Sequence, residues 1–243
     1  MPKKKRQKQT SIAKRSFDIL WSITDQPSRG PKPTISLEDT VHTAVKIADT
    51  EGLAALTMNR IANQLGVTTM ALYRYVPGKD QLIDLMIDAV MADTPEPGTQ
   101  DWRTEMTKWA NADLGLYLAH PWLSEAVVTR PTLGPNWVKW LDAALHALSN
   151  LHLPTSQMMS VLLLIDGHVR SAAQIMVGAK ATREWEENFG RMLQLVGNNL
   201  NYPTIAQMLN TGGFDEPGEE LGDMFAFGLE RLLDGVEVFS RKK

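Results

Sequence analysis

From Leu37 onward, apolar residues recur every three or four positions: Leu37, Val41, Ala44, Val45 and Ala48 form one stripe that ends at Gly52. That spacing is one face of an α-helix, and Ser36 followed by Asp39 supplies the reciprocal caps of a capping box at its start. Thr57 can cap a second helix whose inward side is Met58, Ile61, Ala62 and Leu65, before Gly66 turns the chain. Thr68 can cap a third, very short helix. It stops at Val76-Pro77-Gly78, because the residue before a proline is pushed out of the α region. A fourth helix is predicted from about Lys79 to Met91, and the stretch from Asp93 to Gln100 reads as a break. Beyond it the periodicity predicts helices near 101–119, 122–128, 135–150, 155–179, 182–198 and 218–239. No segment alternates in the manner of a strand. The pattern is all-α, with an N-terminal helix-turn-helix domain of three helices and a larger C-terminal helical bundle.

Before the first stripe lies an arm. Ile12, Ile19, Leu20 and Ile23 recur at helical spacing within Ser11–Thr24, and the proline- and glycine-rich stretch Asp25–Pro33 breaks that pattern. The expected organisation is therefore an arm over 1–35, a helix-turn-helix unit over 36–92 and a body over 100–243.

The helix-turn-helix reading rests on three residues. Ala62 is small enough for a second helix to approach, Gly66 tolerates a left-handed turn, and Leu72 anchors the second helix on the core. With Leu72 facing in, an advance of about 100° per residue turns Met70 and Arg74 outward and leaves Thr69, Ala71 and Tyr73 on the flanks. Arg74 can bond a guanine edge or a phosphate, the Thr69 hydroxyl can bond either, and Met70 and Ala71 can touch a thymine methyl. Tyr73, Tyr75 and Lys79 suit the sugar-phosphate backbone, and the helix start at Thr68 and Thr69 can face a phosphate. The alternative is that these side chains merely rim a helical bundle.

Charge decides between the two. The chain is 243 residues long with a formal net charge of -3, yet residues 1–80 carry 13 Lys and Arg against 7 Asp and Glu. A basic end on an acidic body fits an N-terminal unit that meets a polyanion, since neutralising phosphates releases counterions. Within the arm, Pro2–Lys8 reads as a solvated basic tail, and Arg29–Pro33 reads equally as a segment placed to enter a minor groove or as a solvated linker.

Other chemistries find little support. There is no cysteine, which excludes thiolate metal sites and disulfides. The longest purely apolar run is Val161–Ile165, and no signal-peptide pattern follows the basic start, so a cytoplasmic protein without membrane insertion is expected. No glycine-rich phosphate loop, paired metal-ligand histidines or strand-borne nucleophile is present. An enzyme, a cofactor and a metal are therefore not expected.

At this point the residues resemble a family. Glu51-Gly52-Leu53, Leu56-Thr57-Met58, Ile61-Ala62, Leu65-Gly66-Val67, Leu72-Tyr73-Arg74-Tyr75-Val76 and Lys79-Asp80 with Leu82 resemble the DNA-binding domain of TetR-family transcriptional regulators. His120-Pro121-Trp122 and Arg130–Asn136 resemble the tetracycline-repressor-like C-terminal domain of one branch of that family. The resemblance implies a bacterial homodimer that represses from a palindromic double-stranded operator and is released by a small effector. It places DNA contacts at Asn59, Thr69, Met70, Ala71, Tyr73, Arg74, Tyr75 and Lys79; with Thr57, Arg60 and Thr68 these are the DNA-binding candidates. Tyr75 stands where many members have histidine and Met70 where many have a small residue, so an operator sequence does not carry over.

The body holds six of the seven tryptophans, and such residues can line an adaptable cavity for a hydrophobic or aromatic effector or simply fill the core, the latter giving a DNA-binding or partner-binding regulator without an effector. Effector-binding candidates are Trp109, Trp122, Trp137, Met158, Leu162, Asp166, His168 and Arg170. Asp166 and Arg170 lie four apart and can equally form an internal ion pair, and His168 can be a hydrogen-bonded core histidine. Residues 155–179 are apolar nearly all round, which predicts a central helix buried on several sides. The last helix carries a wide apolar stripe, Leu221, Phe225, Gly228, Leu232, Val236 and Phe239 flanked by Met224, Leu229 and Leu233. With the helix over 155–179 it is expected to form a four-helix dimer interface.

Overall fold

The computed structural model describes residues 16–21, 35–98, 101–129, 133–179, 183–197, 201–212 and 221–241. The basic tail and the Arg29–Pro33 segment lie outside these residues. Among the described residues every regular element is helical. Residues 16–21 form α1. The N-terminal unit then contains α2 (Leu37–Glu51), α3 (Met58–Leu65), α4 (Thr69–Tyr73) and α5 (Lys79–Val90). The body contains α6 (Trp102–Ala119), α7 (Leu123–Thr129), α8 (Pro135–Leu148), α9 (Thr155–Ala179), α10 (Arg183–Val196), α11 (Pro203–Asn210) and α12 (Leu221–Ser240).

Local chemistry sets the boundaries. At the start of α2 the Ser36 hydroxyl accepts from the Asp39 amide at 2.9 Å and the Asp39 carboxylate accepts from the Ser36 amide at 2.9 Å, the expected capping box. Thr57 accepts from the Arg60 amide and Thr68 from the Ala71 amide, so each hydroxyl satisfies an amide that the first helical turn leaves free. Gly66 ends α3 at φ 68°, a left-handed conformation that costs glycine nothing. The Val67 amide then donates back to Ala62, and α4 crosses α3 with Leu72 fully buried between them.

Helix α5 joins the two halves. Its run from Gln81 to Asp88 is buried all round, because α2 packs on one side and α7 and α8 on another. In the body, α9 packs on α6, α12 and α8, and Arg103 of α6 is ion-paired to Asp234 of α12 at 2.6 Å.

Three expectations change. Helix α11 is absent from the periodicity reading: it is short, begins at Pro203, and has no buried residue to mark an inward stripe. On α2, Thr40 and Ile47 are buried whereas Leu37 and Val45 lie at the edge, so the packed face is rotated from the stripe first read. Helix α9 is not enclosed on every side. Val161, Leu162, Ile165, Val169 and Ala173 face inward, but Leu163, Leu164 and Ile175 are each more than half exposed. By length and composition Thr155–Gly178 could cross a membrane, with a mean hydropathy of 1.2. It carries an ion pair and packs along the bundle instead.

Candidate DNA-reading face and effector cavity

Helix α4 is five residues long and buries one of them, Leu72. Everything else on it is available to a partner. Met70 is 76% exposed, Tyr73 is 46% exposed and Arg74 is exposed as well, as the advance from Leu72 predicts. An apolar side chain as open as Met70 gains nothing from the fold itself. Thr69 and Ala71 lie on the flanks, and the Thr69 hydroxyl meets Asn59 Oδ1 of α3 at 3.5 Å. Asn59 and Thr69 thus form the edge where the two helices of the motif meet.

The remaining candidates are held more tightly. Tyr75 is half-buried and packs on the core, with Val76 fully buried beside it. The Lys79 ammonium donates to the Leu53 carbonyl at 3.2 Å, which ties the start of α5 to the turn after α2. Arg60 is ion-paired with Glu51 across the α2–α3 corner. Thr57 and Thr68 spend their oxygens on helix caps while their residues stay exposed.

In the body a cavity of about 270 Å³ lies between α5, α6, α8 and α9. Its walls are largely apolar, with Trp109, Trp137, Trp140 and Leu162 prominent, and α5 contributes Ile87 and Met91. Two of the indole N–H groups are spoken for: Trp109 donates to the Trp140 carbonyl at 3.0 Å, and Trp140 to the Met91 carbonyl at 2.8 Å. The two rings meet edge to face. At the polar end stand Asp113, Tyr117, Asp166 and Arg170. Arg170 and Asp166 form the internal ion pair that their spacing allows, at 2.9 Å, and both line the cavity. Burial raises the Asp166 carboxyl, with Arg170 pulling it back down.

The structure brings Trp109, Trp137, Leu162, Asp166 and Arg170 to one cavity, and it leaves three candidates out. Trp122 is buried elsewhere: its indole donates to Asp49 Oδ1 of α2 at 2.7 Å, the oxygen that also meets His120 Nδ1 at 2.8 Å. His168 points the other way, stacking on Phe225 with Nε2 at 2.9 Å from the Phe225 carbonyl. Its ring fills the space a Cβ at Gly228 would need, so it is a packing contact between α9 and α12. Met158 packs on the core, and its neighbour Met159 lines the cavity. A helix apolar nearly all round, such as α9, carries no pattern that separates its cavity side from its α12 side. The sequence reading also omitted Asp113, although it falls at helical spacing within the inward stripe of Met106, Trp109, Ala110 and Tyr117.

The cavity and the N-terminal unit meet at one carboxylate. Asp88 of α5 accepts from the backbone amides of Asn136 and Trp137 at 3.0 and 3.2 Å, and so satisfies the start of α8. The Asn136 side chain returns a bond to the Asp88 carbonyl. A Cβ at Gly134 would collide with this carboxylate, so the junction requires glycine there. Desolvation nevertheless pushes the Asp88 carboxyl up, against the pull of those amides.

Comparison with known proteins agrees with this geometry. Residues 41–86 match the model of bacterial regulatory proteins of the tetR family, and residues 94–239 match the tetracyclin repressor-like C-terminal domain. The chain is 39% identical over 235 residues to the HTH-type transcriptional repressor DrrR1 of Streptomyces coeruleorubidus, covering 92% of this chain and 85% of that one. It is 24% identical to an HTH-type transcriptional regulator of Saccharopolyspora erythraea, covering 93% and 94% of the two chains. Among solved structures, apo ActR from Streptomyces coelicolor superposes with a TM-score of 0.73 at 22% identity, over 87% of this chain and 99% of that one. ActR in complex with actinorhodin gives 0.71 at 26% identity, over 85% and 96%. An outward-facing α4, a buried α5 and a tryptophan-lined cavity thus occur in a chain that belongs to the TetR family of DNA-binding transcriptional regulators, which are not enzymes.

Proposed function

We propose that the protein is a cytoplasmic repressor that binds a palindromic operator as a homodimer and is released by a small hydrophobic or aromatic effector held between α5, α6, α8 and α9. The observation that carries this reading is the position of α5, which packs against α2 on one side and lines the cavity with Ile87 and Met91 on the other. Repression is supported by the relative DrrR1, described as a repressor, and an aromatic effector by ActR, solved with actinorhodin and with (S)-DNPA. Two recognition helices per operator require a two-fold dimer, with half-sites about one helical turn, roughly 34–36 Å, apart. Phe225, Leu229, Leu233 and Val236 of the stripe predicted on the last helix are buried within the chain, so the apolar surface available to such a dimer is instead Leu163, Leu164 and Ile175 of α9 with Met224, Phe227, Val238 and Phe239 of α12.

In this mechanism Met70 and Arg74 read base edges, with Thr69 and Ala71 beside them, and Tyr73, Tyr75 and Lys79 steady the backbone. An effector that prefers a different seating of α5 and α8 weakens DNA binding by the ratio of its two affinities. The test is selection of bound fragments from a random DNA pool at about 0.15 M salt with excess competitor, where nonspecific phosphate binding is weak. One enriched inverted repeat supports a dimeric, sequence-reading regulator. No enrichment by the folded protein removes Met70 and Arg74 as base readers.

A further inference from the structure

We propose that the cavity selects aromatic molecules carrying a protonated amine, with Asp113 as the ammonium's partner; this rests on the effector reading above. Asp113 stands on α6 in the cavity wall, is 4% exposed, and its Oδ2 has no hydrogen-bond partner. A buried, unmatched acceptor costs free energy that a ligand's donor would recover. Among the described residues, the titratable groups lining the cavity are Asp113 and Tyr117 on α6 and Asp166 and Arg170 on α9. Arg170 already serves Asp166, and a phenol supplies no positive charge. Two carboxyl groups therefore share one guanidinium, and Asp113 can ionise beside Asp166 only if a second cation joins the cluster. Trp109, Trp137 and Trp140 line the same cavity and supply aromatic surface for the ligand's ring. Arg170 Nε is a second buried atom without a hydrogen-bond partner.

Desolvation, and then the charge of Asp166, raise the Asp113 carboxyl well above the usual carboxylate range. The empty site thus favours the protonated acid. An arriving ammonium ion favours the carboxylate, so the proton leaves to solvent as the ion pair forms. Binding of an amine should strengthen as pH rises toward the amine's own pKa, and binding of a neutral aromatic should not.

The test is calorimetric titration of the full-length protein, free of DNA, with naphthylmethylammonium and with its neutral counterpart naphthylmethanol, in two buffers of different ionisation enthalpy. The expected result is an amine bound about tenfold more tightly, as a charge-assisted hydrogen bond allows, with net proton release. Asp113→Asn should bring the amine down to the level of the alcohol and leave the alcohol unchanged. Asp113→Ser repeats the test should the first variant unfold. Equal binding of the two probes, or an amine preference that survives in both variants, overturns the proposal and leaves the effector cavity standing. If neither probe binds, and anthracenemethanol does not bind either, the cavity reading fails and the proposal with it.

Discussion

The DNA-reading end and the cavity end depart from hydrophobic sorting in opposite directions. On α4 an apolar residue, Met70, lies in water at 76% exposure; on α6 an acid, Asp113, lies in the interior at 4% exposure. Neither placement stabilises the isolated chain, since one leaves apolar surface hydrated and the other strips water from a carboxyl without a partner. Each makes sense once a partner is supplied. The rest of both regions is sorted as packing demands, with Leu72 and Val76 fully buried beneath α4 and Met106 and Ala110 fully buried along α6.

That contrast predicts which substitutions damage the fold and which damage only function. The largest effect is expected at Leu72, which alone anchors α4: Leu72→Ala should cost about 2–5 kcal/mol in chemical denaturation, the range for a buried leucine that leaves a cavity. Its neighbour Met70→Ala should stay within about 0.5 kcal/mol, as surface changes do. Comparable losses at the two positions would mean that Met70 is packed rather than free.

Next in size is Arg74. As an exposed base-reading arginine, Arg74→Ala should cost about 1–3 kcal/mol against the selected operator and relax the preference at one base position, with no change in stability. Fluorescence anisotropy on the operator and on single-base variants of it separates this from a phosphate contact. Loss of affinity that is uniform across sequences would assign Arg74 to the backbone.

Asp88 tests the connection between the two ends. Asp88→Ala leaves the Asn136 and Trp137 amides of α8 without their acceptor, and should cost about 1–3 kcal/mol. If α5 transmits the effector's signal, the variant should still bind both DNA and effector while one ligand alters the affinity for the other less. Coupling that persists at full strength would place the signal elsewhere, and the Asp49 contacts to His120 and Trp122 are the other described link to α2.

How much of this was legible in the sequence follows from how local each cause is. The capping box at Ser36, the caps at Thr57 and Thr68 and the turn at Gly66 involve residues three or four apart, and the structure reproduces each of them. The outward direction of Met70 and Arg74 was equally plain, because one buried leucine fixes the phase of a short helix. The inward direction of Asp113 follows from its place in the stripe of Met106, Trp109, Ala110 and Tyr117, but its lack of a partner depends on α9, which begins more than forty residues further on. His168 and Trp122 were misplaced for the same reason. Their partners Phe225 and Asp49 are 57 and 73 residues away, and nothing in the local pattern announces them.

Arg60 gives the smallest expected effect and the finest distinction. The sequence placed it among the DNA contacts, whereas the structure pairs it with Glu51 across the α2–α3 corner, both side chains being exposed. An exposed pair of this kind contributes about 0.2–1 kcal/mol, so Arg60→Gln should scarcely alter the thermal unfolding temperature. A guanidinium held by a carboxylate can still turn to a phosphate, because the exchange trades one exposed charge pair for another and releases a counterion. If it does, the slope of log affinity against log salt should fall by about 0.9 in the variant. An unchanged slope would leave Arg60 as a corner brace, with Met70 and Arg74 on α4 as the reading face.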